Sequence, residues 1–190
     1  YDYMINRRSE VPTGDYDSVD GYIGSFLILL QTYCEKTGDM RVIKKHWMKI
    51  KDMAYIIAIL QDGDGLTAAT PNNRNKYLMN NCEAYGGLRA FNKLSKQIGS
   101  EIPYYKTIEE TLGKAILREF YDGESNNFYW ALSPSAKHRS SWDIRYPDAY
   151  AQLFPLLYSL LDNRQTLRQH IWSTFVRHHG NDIERFPVEQ

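Results

Sequence analysis

YLMNNCEAYGGL, residues 77–88, opens a long apolar run on two asparagines, a glutamate, a tyrosine and two adjacent glycines. Glycine inside a helix costs about 1 kcal/mol relative to alanine, so Gly86 and Gly87 need a physical reason. Two other stretches echo this one. Asp20-Gly21-Tyr22 in DSVDGYIG (17–24) and Asp148-Ala149-Tyr150 in YPDAYA (146–151) repeat the order acid, small residue, tyrosine ahead of an apolar run, as Glu83-Ala84-Tyr85 does. Asp20 and Glu83 are 63 positions apart, and Glu83 and Asp148 are 65 apart. That regular step indicates a repeated structural unit.

Working outward, apolar spacing predicts helices over 17–37, 40–61, 77–98, 104–121, 147–161 and 164–179. Gly and Asp-Gly stand at their ends, and Pro147 suits a first helical position. FYWAL at 128–132 reads as the one short strand, so the fold class is all-α. The first, third and fifth helices are apolar over much of their circumference, as buried helices are. The second, fourth and sixth carry Lys44, Lys45, Lys49, Lys51, Lys114, Arg118, Arg164 and Arg168, as one-sided surface helices do. An inner helix followed by an outer one, three times over, is an array of three αα-hairpins. A chain of 190 residues suits one such domain.

Short turns join each inner helix to its outer partner, whereas long polar segments (62–76 and 122–146) lead into the third and fifth helices. In an up-and-down array these long segments lie at one end, with the starts of the inner helices. Loops gathered at one end of a rigid scaffold carry function more often than the scaffold does. The three acid-small-tyrosine elements converge there, and the small residues let backbones approach. The opening stretch is therefore read as one lip of a cleft.

With 23 basic and 23 acidic side chains the net charge is zero, which makes nucleic acid and anionic membrane poor partners. No apolar run is long enough to span a bilayer, no signal peptide is visible, and the compartment is not read from a chain that begins at Tyr1. Aromatic residues reach 14%, including 15 tyrosines, and flat rings with a polar tip suit a sugar-binding cleft. Cys34 falls late in the first helix and Cys82 early in the third. Parallel inner helices would hold them about 20 Å apart along the axis, beyond the roughly 7 Å a disulfide spans, so free thiols are expected. DGDGL (62–66) fails the EF-hand spacing, because Leu66 stands where an oxygen ligand belongs. His178-His179 lacks spaced metal-ligating partners. Phosphate-loop, CxxC and supported Ser/His/Asp patterns are also missing from the sequence, so neither a metal nor a cofactor is expected.

The runs YDSVDGY (16–22), QDGDGLTAA (61–69), KYLMNNCEAYGGL (76–88) and RYPDAYAQLFPL (145–156) resemble the six-hairpin, or (α/α)6-toroid, glycosidase superfamily. The resemblance covers most of the chain. It implies a partial (α/α)6 toroid, an oligo- or polysaccharide partner, and Asp or Glu pairs that hydrolyse glycosidic bonds. Two signatures of particular branches, Ser-Glu-Gly and Trp-Glu-Glu, are absent. Three hairpins stand where a closed toroid has six, so the resemblance implies an open half-ring, a second copy, or a further segment that completes the ring.

Glycoside hydrolysis places two carboxyl groups across the scissile bond, about 5 Å apart for retention and roughly 6.5–9.5 Å for inversion. One must stay protonated near neutral pH, which burial can achieve. Glu83 is the candidate general acid and Asp20 the second carboxylate, with Asp17 and Asp148 in reserve. Tyr22, Tyr77, Asn80, Tyr85, Trp130, Trp142, Tyr146 and Tyr150 are the candidate substrate-binding residues. Helix capping competes for the same acids. Asp17-x-x-Asp20 and Asn80-x-x-Glu83 resemble capping boxes, and Asp148 after Pro147 suits a helix dipole. Three other readings share the scaffold: a non-catalytic carbohydrate-binding module, a sugar epimerase or polysaccharide lyase, and a plain helical-repeat interaction protein. A lyase would use Tyr85 as base with Lys137, His138 and Arg139 on a uronate, although a solvated charge run explains 137–139 as well.

Overall fold

The computed structural model describes the backbone of residues 3–6, 9–12 and 17–185, and side chains over 17–180. Helices dominate it: α1 (Val19–Thr37), α2 (Arg41–Leu60), α3 (Leu78–Gln97), α4 (Pro103–Ala115), a short α5 (Phe154–Leu157) and α6 (Gln165–Arg185). Asp17, just before α1, is exposed, and Tyr16 lies outside the described residues.

The contacts of α1 and α3 fix their relative direction. Gly21 lies against Asn80 and Glu83, Gly24 against Glu83, Ala84 and Gly87, and Ile28 against Gly86. Further along, Glu35 pairs with Lys93 at 4.0 Å. Contacts advance along both helices together, so α1 and α3 are parallel neighbours, but α1 is one-sided rather than buried all round as the sequence predicts, leaving Tyr22, Phe26, Leu29 and Tyr33 exposed. The connecting α2 must then run back the other way. It buries Ile43, Ile50, Ala54 and Ile57 on one face and leaves Met48, Tyr55 and Ile59 exposed on the other. Trp47 of α2 stacks on Phe91 of α3 at 5.1 Å, and Tyr105 of α4 meets the same Phe91 edge-on at 4.8 Å. Leu27, Leu88, Phe91, Leu94, Leu112 and Phe120 form the centre of the core.

Both cysteines are buried free thiols, as the parallel run of α1 and α3 requires. Burial, reinforced by the Glu83 charge, pushes the Cys82 thiol well above its ordinary range.

Three expectations are corrected. The predicted inner helix over 147–161 is broken: a π-helical turn at Arg145–Ala149 gives way to turns, the single-turn α5 and further turns, with Ser159 at φ 61°. Pro155 explains the break, because it has no N–H to donate and its ring collides with the carbonyl four residues back. The predicted fourth helix ends its regular path at Ala115 and continues as a π turn, Ile116–Phe120. Finally, the fold is mostly α rather than all-α.

Small antiparallel pairs account for that last difference. β1 (Tyr3–Asn6) pairs with β2 (Ser9–Pro12), and β4 (Tyr121–Asp122) with β5 (Asn127–Phe128). β6 (Ala131–Ser133) lies between β3 (Lys76–Tyr77) and β7 (Ala136–His138). The predicted strand over 128–132 is thus two, separated by Tyr129 and Trp130. Strands of two to four residues carry too little alternation to read from sequence.

Strand pairing and loop hydrogen bonds fasten the long segments to the starts of α1 and α3. The Leu78 amide at the head of α3 donates to the Trp130 carbonyl (3.0 Å), and the Val19 amide at the head of α1 donates to the Ala69 carbonyl (2.8 Å). Both long segments therefore sit at one end, over the beginnings of α1 and α3. None of the described helices is long and apolar enough to cross a membrane.

Candidate functional site

Glycines place the acids. A Cβ on Gly24 would stand 2.3 Å from the Glu83 carbonyl oxygen, and one on Gly87 would stand 2.4 Å from the Gly24 Cα. Gly24 follows Asp20 by four residues, and Gly87 follows Glu83 by four, so each acid lies one turn before the point of closest approach. A Cβ on Gly21 would fall 2.5 Å from Glu83 Oε2, so Gly21 makes room for that carboxyl group.

Asp20 is fully buried. Its Oδ2 accepts the Thr67 hydroxyl at 2.7 Å, while Oδ1 accepts the Gly21 amide at 2.9 Å and, more loosely, Ser18 Oγ and Asn80 Nδ2 at 3.4 Å. Burial pushes its pKa up to about 6, against the lowering effect of the Thr67, Gly21 and Ser18 hydrogen bonds. Asn81, also fully buried, extends the clasp: its Oδ1 accepts the Thr67 amide at 2.8 Å, and its Nδ2 donates to the carbonyls of Thr67 and Tyr77, both at 3.0 Å.

Glu83 is half-buried and accepts the Ser25 hydroxyl on Oε1 at 3.2 Å. Burial holds its carboxyl above the usual range, and the nearby Asp20 charge adds to the rise, while Ser25 opposes it. One turn on, Gly86 admits the Tyr158 ring, with a Cβ there falling 2.5 Å from Tyr158 Cδ1. Burial, the Glu83 charge and the Cys82 thiol together push the Tyr158 phenol up to about 12. The two glycines of the opening stretch thus have separate reasons: Gly87 receives a helix backbone and Gly86 an aromatic ring.

Neither N-cap residue makes a side-chain cap hydrogen bond, but Asp20 accepts the first-turn Gly21 amide and so satisfies a free N–H at the head of α1, as a cap would, whereas Glu83 lies beyond the first turn of α3. Asp148, nearly buried, accepts the Ser141 amide on Oδ1 at 2.8 Å and fastens the 139–144 loop.

The remaining predicted residues fall into separate groups. Asn80 joins the Asp20 cluster. Tyr77 stacks on Trp130 at 6.2 Å, at the head of α3, and the Trp130 ring also leans on His138. Tyr22 is exposed on α1, and Tyr146 is exposed beside a cis peptide to Pro147. Tyr85 points to α4 instead, where a Cβ on Gly113 would lie 2.8 Å from its ring, and Arg89 sits 5.6 Å from the ring centre. Trp142 packs near His178, and its carbonyl bonds His179 Nε2 at 2.8 Å. Tyr150 receives Arg145 on its hydroxyl and meets Phe175 edge-on. Tyr150 also borders an open groove of about 730 Å³ with Leu153, Phe154, Leu157 and Trp172.

The basic run is occupied locally. Lys137 donates to the Glu119 carbonyl, Arg139 pairs with Asp122 and Glu124, and His138 contacts Ser133 Oγ. Asp62 and Asp64 are matched by Lys76 and Arg74 in a tight turn.

Thr67, Ser25, Asn81 and Tyr158 were missed as site residues. The run Leu66–Thr70 is buried throughout, and two threonines in it are the one signal that could have exposed Thr67. No protein-family model matches the chain, and no curated protein matches it at a significant level.

Proposed function

We propose that this chain is a carbohydrate-active protein of the (α/α)-toroid class, a glycoside hydrolase or a portion of one, with Glu83 as general acid. The observation that carries the reading is the Asp20–Glu83 pair. Two carboxyl groups from adjacent parallel helices, both raised, sit at the end of the molecule where the long segments and the stacked Tyr77–Trp130 rings gather. A half-buried carboxyl whose pKa is raised by burial is suited to protonating a leaving glycosidic oxygen.

Asp20, with no exposed surface, acts from beneath as a positioning residue: its negative charge disfavours ionisation of Glu83. Asp17, exposed just before α1, takes the part of the second carboxylate, which activates water or attacks the sugar. The parallel α1–α3 pair backed by α2 and α4 is the arrangement that a toroid of inner and outer helices would repeat. A second copy or a further segment would complete the ring.

Reducing ends released from an oligosaccharide panel by this chain, and lost in Glu83→Gln with the fold retained, would support the hydrolase. Unchanged release in the variant would remove Glu83 from the mechanism. A non-catalytic saccharide-binding module is the second reading, favoured by the full burial of Asp20, which leaves the pair with one accessible carboxyl group. Saturable binding without release would select it.

A further inference from the structure

One turn beyond Glu83, the groove between α1 and α3 widens into a pocket of about 350 Å³, closed on its third side by the chain around Tyr158. That volume lies within the range of small-molecule sites, at its lower end. Its charge is one-sided: Arg89 and Lys93, four residues apart on α3, both line it, and no acid does. Lys93 meets Glu35 only at 4.0 Å, a long pair between two half-exposed side chains that holds the ammonium weakly. Arg89 is held in place by its bond to the Tyr158 carbonyl (2.9 Å) and by the Tyr85 ring.

The third feature is an orphan donor. Gln31, another wall of the pocket, is 8% exposed, and its Nε2 amide is buried without a hydrogen-bond partner among the described residues. Buried amide donors are seldom left unpaired, so an acceptor is the missing component. Two cations and an unfilled donor around one small pocket call for an anion rich in acceptor oxygens. The remaining walls, Ile28, Leu157 and the Tyr158 ring, offer apolar faces far larger than a bare inorganic ion would use.

We propose that this pocket binds the carboxylate of a uronate unit, so that the saccharide acted on at Glu83 is an acidic one. The proposal rests on the carbohydrate reading of Glu83 and names its substrate class. It differs from the Lys137–Arg139 run, whose charges are taken up by Glu119, Asp122 and Glu124.

Calorimetric titration of the full chain with D-glucuronate, D-glucose and acetate tests it. Glucuronate is expected to bind at least about tenfold more tightly than glucose or acetate, the size of one lost charge-assisted contact. Lys93→Gln, at a half-exposed position, should lose about tenfold in glucuronate affinity, and Arg89→Gln should do the same. Equal binding of acetate would make this a free-anion site and overturn the proposal. So would glucuronate no tighter than glucose, or affinity unchanged in both variants. The two readings fail separately. Glucuronate binding without release of reducing ends from any saccharide sinks the hydrolase, whereas Glu83-dependent release without glucuronate binding sinks the uronate pocket.

Discussion

The same acid-small-tyrosine element has two different outcomes in this molecule. At the heads of α1 and α3 it brings Asp20 and Glu83 into one cluster. At Asp148 it secures a loop amide, and the helix that should follow breaks up. The difference lies four residues after the acid. There the first two copies have Gly24 and Gly87, which let the helix backbones touch. The third has Gln152, fully buried, whose side chain accepts the Phe128 amide at 2.8 Å and donates to the Phe128 carbonyl and Ser140 Oγ. Glycine at that position makes a helix–helix contact, and glutamine makes a helix–loop contact. Pro155 then removes any chance of a regular third inner helix.

The comparison can be broken most forcefully at the glycines. Gly87→Ala places a methyl group where only 2.4 Å separates it from the Gly24 Cα, so we expect a loss of about 3 kcal/mol or more in urea unfolding, at the upper end for overpacking. A loss under about 1 kcal/mol would mean that the helices slide apart freely.

Asp20 provides a pH signature of similar size. Its folded pKa of about 6 lies above the ordinary aspartate value, so the native state binds the extra proton. Its contribution is therefore most favourable below about pH 4 and is lost as pH rises through about 6, by roughly 3 kcal/mol over two units, then stays level. Asp20→Asn should flatten that fall. A native-like slope in the variant would assign it to another group.

In the third copy, Gln152→Leu leaves the buried Phe128 amide unpaired and should cost about 2 kcal/mol, without altering the titration of Glu83. A changed Glu83 titration would show that the third copy does reach the site. The smallest effect is expected at Gly86. Gly86→Ala gains about 1 kcal/mol of helix propensity but pushes the Tyr158 ring at 2.5 Å, for a net loss of about 1 kcal/mol. Unfolding midpoints would read it, and the Tyr158 phenol should titrate lower as it moves from Glu83.

Much of this was legible before the structure. The long amphipathic periods disclosed α1 to α4 and α6, and the spacing of Asp20 and Glu83 matched the parallel register in which they meet. What was not legible depended on non-local partners. Nothing near Asp20 in sequence announces Thr67, 47 positions away, and the two-residue strands around Tyr77 and Phe128 exist only because each edge finds the other. Tyr85 misled for a geometric reason: two residues after Glu83 is about 200° around a helix, which turns its ring to α4. Pro155 stands within the apolar run 149–158, and its missing N–H is the local signal that breaks the predicted fifth helix.

The central claim is that burial and the Asp20 charge raise the Glu83 pKa above its ordinary range. Carboxyl-carbon NMR titration of Glu83, in the native chain and in Asp20→Asn, tests it directly. The account predicts a Glu83 midpoint clearly above the ordinary glutamate value of about 4.3, moving down when Asp20 loses its charge. A midpoint at the ordinary value in the native chain, unmoved by the substitution, would contradict it.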